Sequence, residues 1–116
     1  MARTVLIVDD HEGFRRVACA LLEHEGFCVV GEAADGESAI AQARALRPAV
    51  VLLDVHLPDI DGFEVAARVL EGPDAPSIVL TSSRAATAYR RRAQGMDVGF
   101  VAKAELSGQT LSAVLG

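Results

Sequence analysis

Cysteine is scarce in these 116 residues: only Cys19 and Cys28 occur, and they form no CxxC pair and match no zinc-ligand spacing. That argues against a disulfide framework and fits a reducing cytoplasm. Aromatic residues make up only 4%, so Val, Leu, Ile and Ala must do the packing. No apolar stretch reaches the roughly 20 residues that a spanning helix needs. Met1-Ala2-Arg3-Thr4 runs straight into a strand-like segment and does not resemble a signal peptide. Basic residues are the minority, 11 Lys and Arg against 16 Asp and Glu, for a net charge of −5. No membrane partner is expected, and an acidic surface of this kind argues against direct nucleic-acid binding by the chain. Arg90-Arg91-Arg92 is a local basic run that reads as a solvated helix face. There is no low-complexity segment and no internal repeat.

What is present is apolar and periodic. Hydrophobic content is 51%, and the length suits one domain over residues 1–116 with a real core. Short β-branched runs predict strands at 4–8, 27–33, 49–54, 77–80 and 98–102. Between and after them, apolar residues at helical spacing predict helices at 13–25, 38–46, 62–70, 84–94 and 105–115. Gly26, Asp35-Gly36, Pro48 and Gly72-Pro73-Asp74-Ala75-Pro76 punctuate the pattern. Strands alternating with helices at this spacing imply right-handed βαβ units, and so a parallel sheet with helices on both faces.

A parallel sheet aligns all its strand carboxyl ends along one edge, where such folds place their ligand chemistry. The residues arriving there are Asp9 and Asp10, Asp54, Thr81 and Lys103. Carboxylates this close repel one another, and a hard divalent cation removes the conflict. Mg²⁺ uses one or two protein carboxylates, which suits Asp10 and Asp54 as ligands, Asp9 acting through water, and a backbone carbonyl just after Asp54. Asp54 ends the most apolar strand and is the best candidate for a nucleophile forming an aspartyl-phosphate. Lys103 and the Thr81 hydroxyl then suit the charge on phosphoryl oxygens, with Ser82 and Ser83 as alternatives to Thr81. Of the histidines, His11 and His24 read as exposed and without a role. His56 overlooks the site but is no ring ligand for Mg²⁺, which prefers oxygen.

These residues resemble the receiver domains of two-component response regulators. The matching motifs are Val5-Leu6-Ile7-Val8-Asp9-Asp10, Leu52-Leu53-Asp54-Val55-His56-Leu57-Pro58-Asp59-Ile60-Asp61-Gly62, Val79-Leu80-Thr81-Ser82 and Phe100-Val101-Ala102-Lys103. The resemblance implies a flavodoxin-like, doubly wound (βα)5 three-layer sandwich with strand order 2-1-3-4-5. It implies a phosphoryl group passed from a histidine kinase, or a phosphotransfer protein, to Asp54. It also implies Mg²⁺ held by Asp10, Asp54 and the His56 backbone carbonyl, with Asp9 assisting. Thr81 matches the family's switch hydroxyl, Lys103 its phosphate-contacting lysine and Phe100 its switch aromatic, although Phe100 is equally explained by core packing. The face of helix four, strand five and helix five, including Tyr89, Arg90, Arg91 and residues 105–115, would bind an output domain or partner, or dimerise on phosphorylation.

Three departures stand beside the match. Ala104 follows the lysine where the family often has proline, as is common in receivers of LuxR-type regulators. The stretch from Gly95 to Lys103 is one residue longer than the usual pattern. No output domain follows Gly116, so the chain reads either as a single-domain receiver or, slightly favoured, as a fragment of a longer regulator. The alternatives are a receiver-like module that works without phosphorylation, and a small Mg²⁺ phosphohydrolase with an aspartyl intermediate. A haloacid-dehalogenase-like enzyme needs an acid two residues past its nucleophile, where this chain has His56. A flavodoxin-like FMN module would need a hydroxyl-rich loop where the chain has Asp9-Asp10.

Overall fold

The computed structural model describes residues 2–84 and 87–116. Five strands, β1 (Thr4–Val8), β2 (Cys28–Ala33), β3 (Val50–Asp54), β4 (Ser77–Ser82) and β5 (Gly99–Ala102), form one sheet in the order β2-β1-β3-β4-β5. Every pairing is parallel. The helices are α1 (Glu12–His24), α2 (Gly36–Leu46), α3 (Gly62–Leu70), α4 (Thr87–Gly95) and α5 (Gly108–Leu115). This is the expected flavodoxin-like arrangement and strand order.

The sheet is buried on both faces because its strands are apolar at both parities. Val5, Ile7, Leu52, Val79 and Val101 pack with Ala18, Leu22 and Leu111 of α1 and α5. Leu6, Val8, Val51, Leu53 and Leu80 pack on the other side with Ile40, Phe63, Val65 and Val69 of α2 and α3. Burial of each such Val, Leu or Ile side chain is worth about 1.5–3 kcal/mol. The two layers therefore hold the strand ends rigidly while those ends carry charge. One irregularity adjusts the edge. The β1–β2 register slips between Val5 and Leu6, bringing Val8 level with Ala33. Asp9 N then donates to Ala33 O at 3.0 Å, which fixes the start of the β1–α1 loop.

Several boundaries differ from the sequence reading. Strand β4 runs on through Thr81 and Ser82, because both pair with β5, opposite Val101 and Ala102. Helix α2 begins two residues early, since Asp35 accepts from Ser38 N at 2.8 Å and caps it. Helix α5 begins at Gly108, not at residue 105. Lys103–Glu105 form a 3₁₀ turn, and Ser107 and Thr110 then make a reciprocal capping box. The expected helix over 84–94 falls partly on residues 85 and 86, outside the described residues; its described part is Thr87–Gly95. The extra residue after Gly95 is taken up by a tight turn. Asp97 adopts a left-handed φ of 59°, and Val98 N closes back on Ala93 O at 3.0 Å. Phe100 and Lys103 thus reach the sheet in register.

Candidate functional site

Side chains alternate faces along a strand. Asp9 continues the parity of Val5 and Ile7, Asp54 that of Leu52, Thr81 that of Val79, and Lys103 that of Val101. Those apolar residues all face α1 and α5. Four strand ends therefore send their polar groups to the same side of one edge, and β3–β4 pairing sets Asp54 opposite Thr81.

The groups meet. Lys103 Nζ lies 2.5 Å from Asp9 Oδ2 and 3.3 Å from Asp54 Oδ2. Asp9 is fully buried and Asp54 is 2% exposed. The Lys103–Asp54 contact is a hydrogen bond. The Lys103–Asp9 contact is an ion pair with the buried Asp9 Oδ2. The ammonium also lies 4.5 Å from the centre of the Phe14 ring, a cation–π contact that steadies it between the two acids. Burial pushes the Asp54 carboxyl above its ordinary pKa and Asp9 adds to that, while Lys103 and the His56 amide pull it down. His56 N donates to Asp54 Oδ1 at 3.2 Å.

The loops around the acids are tied from several directions. Arg15 donates to Asp9 O at 2.6 Å and to Glu32 Oε1 at 3.0 Å, joining the β1–α1 loop to β2. After Asp54, Gly62 N donates to Val55 O at 2.8 Å. A β-carbon on Gly62 would meet the Asp54 carbonyl oxygen and the Val55 Cα, so only glycine lets α3 start this close to β3. Asp61 caps α3 by accepting from Glu64 N at 2.9 Å. Asp59 reaches back to accept from Gly36 N and Glu37 N at 2.8 and 3.0 Å. Those amides, Gly36 foremost, hold its pKa down to about 2.

Whether these residues suit a hard cation can be judged from their atoms. One ligand atom each from Asp9, Asp10, His11 and Asp54 lie within 4.8 Å of one another, and three of the four are carboxylate oxygens, the donors Mg²⁺ takes. The His56 carbonyl accepts no hydrogen bond from any described residue. Thr81 Oγ1 is buried without a hydrogen-bond partner among the described residues. An orphaned hydroxyl costs about 1–3 kcal/mol, and a bound oxyanion would relieve it.

The sequence reading missed four features. The His56 ring turns to α4, where Nε2 lies 3.0 Å from the Tyr89 hydroxyl. Tyr89 packs edge-on to His56 and near Phe63 and Phe100, so it faces inward and is only half available to a partner. The basic run is not simply a solvated face: Arg90 lies over Phe100 and pairs with Glu105, and Arg92 lies over Phe63. His11 is exposed, as expected, yet its Nδ1 sits 3.1 Å from both Asp9 Oδ1 and Asp10 Oδ1. The adjacency of His11 to the two acids was the signal available for the last of these. Phe100 is 8% exposed, buried beneath Arg90 and beside Tyr89.

Comparison with known proteins gives the same fold and adds the family. Residues 5–114 match the response regulator receiver domain. A putative transcriptional regulator of Pseudomonas aeruginosa is 42% identical over 102 residues, 87% of this chain and 49% of that protein. A protein-glutamate methylesterase/protein-glutamine glutaminase of Anaeromyxobacter dehalogenans is 46% identical over 80 residues, 68% of this chain and 24% of that protein. The chain thus spans half or less of these relatives. The signal receiver domain of the putative response regulator NarL from Mycobacterium tuberculosis superposes with a TM-score of 0.87 at 31% identity, covering 99% of this chain and 98% of that one. With sheet order, strand-end chemistry and these matches in agreement, the chain belongs to the receiver domains of two-component response regulators.

Proposed function

We propose that residues 1–116 act as a phosphoacceptor receiver domain in the cytoplasm. In this reading Asp54 takes a phosphoryl group from the phosphohistidine of a sensor histidine kinase or a phosphotransfer protein. The observation that carries it is one nearly buried carboxylate bonded to a lysine at 3.3 Å and set in register with a buried hydroxyl that has no partner among the described residues. An Asp54 oxygen forms the new P–O bond as the donor's P–N bond breaks, and the electron pair leaves on the donor imidazole. Lys103 opposes the burial that raises the Asp54 pKa, which favours the anionic nucleophile. The same ammonium is within reach of a phosphoryl oxygen on Asp54, and Thr81 Oγ1 is the donor for a second. Mg²⁺ held by Asp10, Asp54 and the His56 carbonyl, with Asp9 assisting, would neutralise charge on the transferring group.

Phosphorylation adds roughly −1.5 to −2 charge at this edge. Thr81 pairs with Val101, next to Phe100, so a hydroxyl drawn to the phosphoryl group is felt by β5 and by the Arg90 and Glu105 side chains over it. The α4–β5–α5 face then changes its affinity for an output domain, a partner protein or a second copy of the chain. Such a change requires a difference in affinity between the two states. The only chemistry asked of the chain is its own phosphorylation and dephosphorylation, so it acts as a switch, not a turnover enzyme. Incubation with acetyl phosphate and Mg²⁺ should give one acid-stable, base-labile phosphoryl group, located at Asp54 by mass spectrometry and absent from Asp54→Ala. Undiminished labelling of that variant would refute the assignment.

A further inference from the structure

An oxygen-only cluster would leave the site a plain magnesium site, but the imidazole beside it changes the donor set. His11 is the N-cap residue of α1, in an extended conformation, and its side chain makes no capping bond. Its backbone N donates to Asp9 Oδ1 at 2.8 Å, which anchors the residue independently of the ring. The ring is then free to place Nδ1 3.1 Å from a carboxylate oxygen of Asp9 and 3.1 Å from one of Asp10. Two adjacent ligands on an octahedral ion, each about 2.1 Å from it, stand about 3 Å apart. The spacing to Asp9 is that of a hydrogen bond and equally fits neighbouring ligands on one cation, and Nδ1 falls within the same 4.8 Å cluster as Asp54. Beside the cluster, opposite Asp54 on β4, the buried Thr81 Oγ1 has no hydrogen-bond partner among the described residues.

We propose that His11 Nδ1 is a direct ligand to the cation at this edge and gives the site a preference for borderline divalent ions, such as Mn²⁺, Co²⁺ or Zn²⁺, over Mg²⁺. Imidazole binds such ions well, with affinity rising along the series from Mn²⁺ to Cu²⁺, whereas Mg²⁺ gains little from nitrogen. Binding through Nδ1 uses the tautomer with its proton on Nε2, and a proton displaced from Nδ1 passes to solvent. This rests on the reading that Asp10 and Asp54 hold a divalent cation. If the ring only hydrogen-bonds the acids, its removal alters all divalent ions alike.

Cation affinities of the wild-type chain, His11→Ala and Asp54→Asn, measured by titration with Co²⁺ and with Mg²⁺, separate these cases. His11→Ala should weaken Co²⁺ by about tenfold or more and Mg²⁺ by less than about twofold, since loss of a metal-site partner costs about 10–100-fold. Bound Mn²⁺ should show nitrogen-14 modulation of its electron spin echo in the wild type and none in His11→Ala. Parallel changes for Co²⁺ and Mg²⁺, or no nitrogen coupling, with both ions still weakened by Asp54→Asn, would overturn the role of His11 alone. If neither ion binds the wild-type chain, or both bind undiminished after Asp54→Asn, the cation site itself fails and the proposal with it.

Discussion

Lys103 is the group on which the balance of the site depends, and Lys103→Met tests that balance. The substitution keeps an apolar side chain of similar length and removes the ammonium, together with its contact to the Phe14 ring. It leaves Asp9, with no side-chain exposure, facing Asp54, with 3%, without the cation they share. Removing one partner of a buried ion pair costs about 3–5 kcal/mol. Here the lysine is 13% exposed and Asp9 keeps the His11 amide, which argues for the lower end, about 3 kcal/mol. With an unfolding entropy of about 2.1 cal/mol/K per residue over 116 residues, that is a fall in Tm of about 12 °C. The sign with pH follows from Asp54, whose pKa is raised already and loses both of the contributions by which Lys103 lowers it. A carboxylate raised on folding costs stability in full above its folded pKa and nothing below its unfolded value, near 3.8. The deficit of the variant is therefore largest at pH 7 and shrinks as pH falls toward 4. Urea unfolding followed by circular dichroism at both pH values, with unchanged m, is the assay. Adding Asp54→Asn should recover much of the loss, with a coupling of about 1 kcal/mol or more. An unchanged midpoint at pH 7, or an equal deficit at both pH values, would refute the reasoning.

The remaining predictions use the same logic elsewhere. Asp54→Asn alone should stabilise the chain at pH 7, because it removes a buried charge repelled by Asp9; the gain should fade as pH drops through the raised pKa toward 3.8, as read by the urea midpoint. Asp59 should titrate near 2 by carboxyl-carbon NMR; being depressed, it contributes stability present above its unfolded pKa and lost as pH falls through about 2, so Asp59→Ala should destabilise at pH 7 and converge with the wild type in strong acid. Gly62→Ala should destabilise by about 2 kcal/mol, because the added β-carbon meets backbone at Asp54 and Val55 that cannot rotate aside. Thermal melting of that variant checks the figure, and a melt matching the wild type would mean that α3 can retreat from β3.

How much of this was legible in the sequence depended on the range of the interaction that fixes each feature. The five strands and the convergence of Asp9, Asp54, Thr81 and Lys103 were readable, because strand parity and a parallel sheet are enough to bring them together. The start of α5 was not. Gln109 to Leu115 look helical by composition, but the boundary is set by the Ser107–Thr110 capping box, which a periodicity argument extends through. The end of β4 was missed because Thr81 and Ser82 look like a loop until β5 pairs with them. The inward turn of Tyr89 could not be seen, since it depends on His56, 33 residues away, and neither residue alone predicts the other. The arginines of α4 misled for a related reason. A charged run reads as solvated, yet guanidinium groups also close over aromatic rings at the rim of a core, and Phe63 and Phe100 lie beneath two of them.

The candidate site is also where the chain departs from what would stabilise it most. Elsewhere local preference and tertiary packing agree: apolar strands at both parities, capped helices, and a glycine where backbone meets backbone. At one edge the same parity that aims Val5, Leu52, Val79 and Val101 into the core aims two carboxylates and a hydroxyl at each other. Among the described residues, one of the resulting conflicts is resolved, by a lysine divided between two acids. The buried Thr81 hydroxyl stays unmatched among the described residues, and Asp54 is raised in pKa despite its cation. Apolar residues at these positions would fold better, so the arrangement points to something the chain binds, as proposed above. The unmet needs define it: a cation for the carboxylates, and an oxyanion for the hydroxyl and the ammonium. A phosphoryl group on Asp54 with a divalent ion beside it meets all of them at once, whereas a free metal would leave the hydroxyl unmatched and a free anion would be repelled by Asp9 and Asp10.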